Sequence, residues 1–188
     1  VCGYKREMLE KYGLVQFFNP RWAETQMVKS LLCASEWLRH SPCIISYSDI
    51  FYEPSSVELL INTTDHIALT YDADWMQLWR ARFGDPLIDA ETFAIDENSN
   101  LTDIGSKPTN VAQVQGQYMG LLKFTPEGWG KVENILSQFD TERVDSLHMT
   151  TLLREIIQRF RYPIKAIRNS GAWGEIDTIT DLEYYKTV

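Results

Sequence analysis

Apolar and polar positions in this chain change period repeatedly, and each change predicts a new element. The run Leu14-Val15-Gln16-Phe17-Phe18, stopped by Asn19-Pro20, reads as a strand entering a loop. Over residues 25–38 the apolar positions Met27, Leu31, Leu32, Ala34, Trp37 and Leu38 recur at helical spacing. They leave Lys29, Glu36 and Arg39 for water, and Ser41-Pro42 ends the helix. Cys43-Ile44-Ile45 is a buried-type strand that runs through Ser46, Tyr47 and Ser48 to deliver Asp49 at the sheet's carboxyl edge. A helix over residues 54–60 and a strand over residues 67–71 complete a strand, helix, strand unit, so the sheet is expected to be mostly parallel.

Further along, residues 74–83 read as an aromatic helix or turn carrying Trp75, Leu78, Trp79 and Phe83, broken by Gly84-Asp85-Pro86. Residues 93–96 and 101–105 flank the polar turn Glu97-Asn98-Ser99-Asn100, which predicts a hairpin lying beside the main sheet as an antiparallel excursion. A strand is expected over 117–124, a helix over 126–139, and a helix over 149–160 that follows an acidic loop. The last clear strand covers 163–167, and Thr178 with Asp181 three residues on forms a capping box that launches a closing helix. With no internal repeat, low-complexity tract or linker, residues 1–188 are expected to form one α/β domain. Its mostly parallel mixed sheet carries helices on both faces. At the start, Val1-Cys2-Gly3 reads as the end of a strand and residues 4–12 as a helix, the look of a chain whose first strand or two lie outside it.

Charge narrows the partners. There are 18 basic and 26 acidic side chains, a formal net charge of −8, and no basic stripe of the kind that phosphate backbones require, so nucleic acid is not expected as a ligand. Cys2, Cys33 and Cys43 form neither an even framework nor a close pair, which argues against zinc and for a reducing, cytoplasmic setting. Apolar stretches stay far below the roughly 20 residues of a membrane span, so no membrane partner is expected. The scattered aromatics define no contiguous apolar patch and leave the oligomeric state open.

Chemistry is expected first at Asp49 and Asp177, each following an apolar segment where a packed sheet has no use for a charge. Brought to one edge, the two carboxylates would supply the hard oxygen ligands that magnesium takes alongside phosphate oxygens and water. The structural alternative is that Asp49 caps the turn into Ile50-Phe51 and Asp177 accepts N–H bonds near the last helix.

Several ordered segments carry a family resemblance. Ser46-Tyr47-Ser48-Asp49-Ile50, the stretch from Trp79 to Leu87, Gly116-Gln117-Tyr118-Met119-Gly120-Leu121 and Trp173-Gly174-Glu175-Ile176-Asp177-Thr178 resemble nucleotidyltransferases of the sugar-nucleotide pyrophosphorylase superfamily. The nearest branch is that of the phosphocholine and 2-aminoethylphosphonate cytidylyltransferases. The resemblance covers essentially the whole chain. It implies a Rossmann-like, GT-A type sheet that lacks its first strand and glycine-rich loop. It also implies Mg2+ held by Asp49 and Asp177, and CTP as nucleotide substrate. The implied reaction is in-line attack of a phosphate or phosphonate oxygen on the α-phosphorus, with pyrophosphate leaving. Partners implied are a small phosphate or phosphonate acceptor, a nucleoside triphosphate, and fusion or association with a phosphonate-metabolism domain. Without the phosphate loop, weak binding of Mg-CTP is expected.

The same resemblance sets Lys107, in Gly105-Ser106-Lys107-Pro108, near the reacting phosphates, against the plain reading of a solvated turn lysine. Glu175 would orient a water of the ion or face an ammonium on the acceptor, Tyr118 would line the acceptor pocket, and Trp173 would offer an aromatic face to a cationic head. Arg80 and Arg82 would meet the acceptor's phosphonate or pair with Asp85, Asp89 or Glu91. Gln26 stands where relatives carry asparagine, one methylene shorter. Trp75 and Trp79 are assigned to packing, and His40, His66 and His148 to exposure or capping. Two other classes remain open: a nucleotide-sugar-dependent glycosyltransferase or other sugar nucleotidyltransferase, and a catalytically impaired nucleotide-binding or assembly module.

Overall fold

The computed structural model describes residues 1–186. Up to residue 104 the chain holds α1 (Met27–Leu32), α2 (Ser35–His40), β1 (Cys43–Ser46), β2 (Ile50–Tyr52), α3 (Pro54–Asn62), β3 (Ile67–Asp72), α4 (Met76–Phe83), and the hairpin strands β4 (Phe93–Ile95) and β5 (Leu101–Ile104). There follow β6 (Gln117–Phe124), α5 (Pro126–Leu136), α6 (Thr141–Asp145), α7 (Met149–Gln158), β7 (Lys165–Arg168), β8 (Trp173–Glu175) and α8 (Ile179–Tyr185).

The central sheet has the order β1-β6-β3-β7. β6 runs antiparallel to both its neighbours and β3 pairs in parallel with β7, so β1, β3 and β7 share one direction. Side-chain alternation divides the sheet into two faces. Ile67, Leu69, Tyr71, Leu122 and Phe124 join the main core with Trp129 of α5 and Leu152, Leu153 and Ile156 of α7. On the reverse face, Ala68 and Leu121 pack with Leu60 of α3. Helices therefore cover both faces, and the sheet's interior strands read as nearly continuous apolar runs.

Local chemistry explains the best-defined helices. α5 starts at Thr125, whose hydroxyl accepts the Gly128 N–H at 3.2 Å, with Pro126 in the first turn where its missing N–H costs nothing. A Cβ at Gly128 would sit 2.3 Å from the His66 carbonyl oxygen, so glycine lets this helix approach the start of β3. In α7 the buried residues Met149, Leu152, Leu153 and Ile156 follow the i, i+3, i+4, i+7 pattern of one helix face. The capping box expected at the last helix is present: the Thr178 hydroxyl and Asp181 carboxylate each take the other residue's backbone N–H.

Four local expectations are corrected. The helix over 25–38 is two helices, because the chain tightens at Cys33 and Ala34, whose N–H groups bond Ser30 and Leu31 three residues back. The run Leu14-Phe18 gives no strand: Phe18 makes one bridge to Cys2, and Leu14 and Val15 are each 67% exposed. Residues 4–12 form a 3-10 helix, Arg6–Tyr12, with no buried side chain. The acidic loop before residue 149 contains a short helix, α6, capped by the Asp140 carboxylate on the Arg143 N–H. Among the described residues no helix is long and apolar enough to cross a membrane.

Gly120 is a geometric keystone. It has φ +75°, and a Cβ there would meet the Tyr47 ring at 2.8 Å, while its carbonyl accepts the Tyr47 N–H at 2.9 Å. The β3–β6 register shifts beside it, between Leu69 and Tyr71, as a glycine bulge requires. Replacing Gly120 with alanine is expected to cost about 1–3 kcal/mol, read as a fall of several degrees in Tm by thermal denaturation. An unchanged Tm would mean that Tyr47 moves aside freely.

Candidate functional site

The site begins where β1 ends. Tyr47, Ser48 and Asp49 lead out of the sheet, and the chain turns into β2, which pairs antiparallel with β8 in the register Ile50 to Glu175, Phe51 to Gly174 and Tyr52 to Trp173. The ladder is extended by the Ile176 N–H, which donates to the Asp49 carbonyl at 2.8 Å. This two-stranded ribbon therefore sets Asp49 opposite Ile176 and beside Asp177. The ribbon's far strand is anchored through the preceding loop, where buried Asn169 accepts the Ser56 hydroxyl at 2.8 Å and donates to the Gly171 carbonyl at 2.7 Å.

Asp49, Glu175 and Asp177 each bring one carboxylate oxygen to within 4.8 Å of the others. Octahedral magnesium with bonds of about 2.1 Å holds neighbouring oxygens about 3.0 Å apart and opposite ones about 4.2 Å apart, so sharing one ion requires the three side chains to rotate closer together. Their donor set is all carboxylate oxygen, which suits a hard divalent cation and not zinc. Asp49 and Asp177 are exposed and Glu175 is partly buried, so the cluster opens to solvent on the side where a phosphate could approach.

Arg82 lies behind the acids. Its side chain is 0% exposed, and it donates from Nε to Asp181 Oδ1 at 2.8 Å, from Nη1 to Glu175 Oε2 at 3.2 Å and from Nη2 to Asp177 Oδ2 at 2.9 Å. Burial works against its charge, but Asp181 and Glu175 more than offset this and lift its pKa above the ordinary arginine value. Burial, then the charge of Asp177, pushes Glu175 up to about 7 despite Arg82. Asp181 is drawn down to about 2, chiefly by its hydrogen bond from Arg82.

Beside the acids lies a cavity of about 430 Å³ whose wall includes Tyr47, Tyr118, Asp89, Glu91, Gln117 and Glu175. Among the described residues its lining contains no lysine or arginine. Burial raises the pKa of Glu91, which accepts the Thr150 hydroxyl at 3.3 Å. Gln117 is 6% exposed and its Nε2 has no hydrogen-bond partner among the described residues. The Tyr118 and Tyr47 rings meet edge to face at 5.8 Å, and burial raises the pKa of both hydroxyls. A second groove, of about 470 Å³, follows β1 out to Asp49 between apolar walls that include Phe17, Leu31, Leu38 and Ile45.

The other expected site residues fall as follows. Arg82 faces the acids, and its partners are neither Asp85, Asp89 nor Glu91, because the α4 helix directs it inward onto β8 and α8. Arg80, two residues earlier on the same helix, is exposed. Lys107 donates to the Leu87 carbonyl at 2.6 Å and to that of Ile88, pinning the segment that carries Asp89 and Glu91. Trp173 donates its indole N–H to Asp72 at 3.0 Å and packs its ring 6.0 Å from that of Trp79, so it ties β8 to the end of β3. Gln26 is an exposed residue at the head of α1 whose backbone N–H bonds the Asp145 carbonyl. Trp75 and Trp79 are buried, as assigned. Sequence reasoning gave no site role to Glu91, Gln117 or Asp181. Asp181 carried a visible signal in its place in the capping box, and Gln117 in lying within a segment that carries the resemblance.

Comparison with known proteins adds the family. No family model matches the chain. A CTP:phosphoglutamine cytidylyltransferase of Campylobacter jejuni is 32% identical over 201 residues, an overlap spanning 97% of this chain and 78% of the relative. Among solved structures, an inositol-1-phosphate CTP transferase from T. maritima superposes with a TM-score of 0.72 at 17% identity, covering 98% of this chain and 72% of that one. A UDP-glucose pyrophosphorylase complexed with UDP-glucose gives 0.69 at 15% identity, with 100% and 80% covered. The two structural likenesses establish the fold, and the sequence relationship to the Campylobacter enzyme establishes more. The chain belongs to the nucleotidyltransferase superfamily of enzymes, on the side of the CTP-dependent cytidylyltransferases.

Proposed function

We propose that the protein transfers the cytidylyl group of CTP to a small acceptor that presents a phosphate or phosphonate oxygen and carries an ammonium group, releasing pyrophosphate. The observation that carries this reading is the convergence of Asp49, Glu175 and Asp177 at the carboxyl end of the sheet, next to an acid-lined cavity. In the reaction an acceptor oxygen forms a bond to the α-phosphorus of CTP while the bond to the β-phosphate bridging oxygen breaks. The nucleophile is already anionic, so alignment and charge screening matter more than proton transfer. Asp49, Asp177 and Glu175 would hold Mg2+, which screens the phosphates as negative charge gathers on the leaving pyrophosphate.

The chain's own residues divide the remaining work. Lys107 is bonded to neutral carbonyls, so its charge can pass to an entering phosphate by exchanging them for phosphate oxygens. Glu91 and Asp89, with no lysine or arginine in the described lining, suit an ammonium. Gln117 offers an unused N–H to an acceptor oxygen. Phosphocholine, 2-aminoethylphosphonate and phosphoglutamine, the molecule named for the Campylobacter relative, all carry a nitrogen-bearing head. Phosphoglutamine adds oxygens that Gln117 could meet.

Pyrophosphate release from CTP and Mg2+, measured with each of these acceptors and with glucose 1-phosphate, tests the reading. Release with an ammonium-bearing acceptor is expected, whereas release with glucose 1-phosphate alone would replace it with a sugar nucleotidyltransferase. Asp49→Asn and Asp177→Asn are each expected to lower turnover at least about 100-fold, the scale at which lost charge stabilisation is felt in a transition state. Chelation of divalent cations is expected to abolish turnover. Glu91→Gln is expected to raise KM for the acceptor about 10- to 100-fold with little change in KM for CTP, matching one lost charge-assisted bond. Equal effects on both substrates would remove Glu91 from the acceptor site.

A further inference from the structure

Asp177 is held twice. Its carboxylate takes one bond from Arg82 Nη2, at 2.9 Å. Its backbone N–H donates to Asp181 Oδ2 at 3.2 Å, and the same oxygen accepts the Thr178 N–H and hydroxyl, each at 2.9 Å. The other oxygen of Asp181 accepts Arg82 Nε at 2.8 Å. One guanidinium thus reaches the Asp177 side chain directly and its main chain through Asp181. It reaches Glu175 as well, by Nη1.

Arg82 is itself well fixed. It lies in the last turn of α4, its side chain has no solvent exposure, and its guanidinium carbon lies 4.7 Å from the Phe83 ring centroid and 5.3 Å from that of Trp79. A planar fork with three differently directed N–H groups can set the angles among three carboxylates, which a lysine ammonium on a flexible stem cannot. It also uses only one oxygen of Glu175 and one of Asp177. Among the described residues no hydrogen bond reaches Glu175 Oε1 or Asp177 Oδ1.

We infer that Arg82, working through Asp181, is a positioning residue that presents the free oxygens of Glu175 and Asp177 toward a divalent cation shared with Asp49. The inference rests on the proposed reading of these acids as a cation site. It makes a claim about sign. A nearby positive charge acting only by repulsion would weaken cation binding, and its removal would tighten it. An arginine that positions the ligands has the opposite effect, because without it two like-charged side chains turn apart and the Asp181 carboxylate that takes the Asp177 N–H loses its contact to Arg82.

The test is direct Mn2+ binding to the full chain, followed by the paramagnetic resonance signal of the free ion, in wild type, Arg82→Lys, Arg82→Gln and Asp181→Asn, each first checked for folding by circular dichroism. Binding is expected to weaken about 10- to 100-fold in Arg82→Gln, and less in Arg82→Lys, which keeps the charge but not the fork. Asp181→Asn, which leaves the Arg82 contact to Asp177 available, is expected to weaken it also. In turnover assays Arg82→Lys is expected to raise the Mg2+ concentration needed for half-maximal rate while the rate at saturating Mg2+ is largely kept. Wild-type binding that Arg82→Lys leaves unchanged or tightens overturns the inference alone, and Arg82→Lys serves as the deciding variant should Arg82→Gln fail to fold. A wild type that binds no Mn2+ overturns the cation site and the inference together.

Discussion

Like charges gather at the end of a sheet only where something opposes their repulsion, and here it is a single buried guanidinium. Glu175, Asp177 and Asp181 all bond Arg82, and Asp49 joins them across the β2–β8 ribbon. One positive charge against four carboxylates leaves a surplus of negative charge in a partly buried place. Burial first, and then the charge of Asp177, pushes Glu175 up to about 7 even with Arg82 in contact. The arrangement is under electrostatic tension that a further cation would relieve, which is how a protein can be shaped for an ion before meeting it.

The packing around this point is organised to make the ribbon possible. The central sheet is covered on both faces, with α5 and α7 on one side and α3 on the other, so its carboxyl end is the part left open for chemistry. Gly120 bulges β6 under Tyr47, which steers the chain leaving β1 toward Asp49. Trp173 and Asn169 fasten the approach to β8 from the opposite direction. Stability and site geometry share these residues.

Much of this was readable along the chain, for a reason that differs between elements. β3, β6 and α7 bury a whole face or both faces, so their apolar spacing announced them; the Thr178 capping box is local and needs no tertiary context. Asp49 and Asp177 stood out because a charge follows an apolar run. β2 gave no such signal, since three residues with one exposed aromatic, Phe51, make too short a pattern to separate from a turn. The partners of Arg82 lie 93 to 99 residues away, beyond any local rule, and its sequence neighbours Asp85, Asp89 and Glu91 suggested the wrong pairing. Residues 14–18 were misjudged for the converse reason: strand-like composition does not make a strand where the neighbours leave Leu14 and Val15 in water.

The β2–β8 ribbon has a consequence for biosynthesis. Asp49 leaves the ribosome long before Glu175 and Asp177, and the ladder joining them can zip only once residues 173–185 have emerged and docked on α4. The mouth of the site is therefore completed later than β1, β3 and β6, in step with the sheet's edge strand β7, which lies just before β8 in the chain. Any ion settling there favours the completed chain over partially condensed forms, so that occupancy and maturation become linked equilibria.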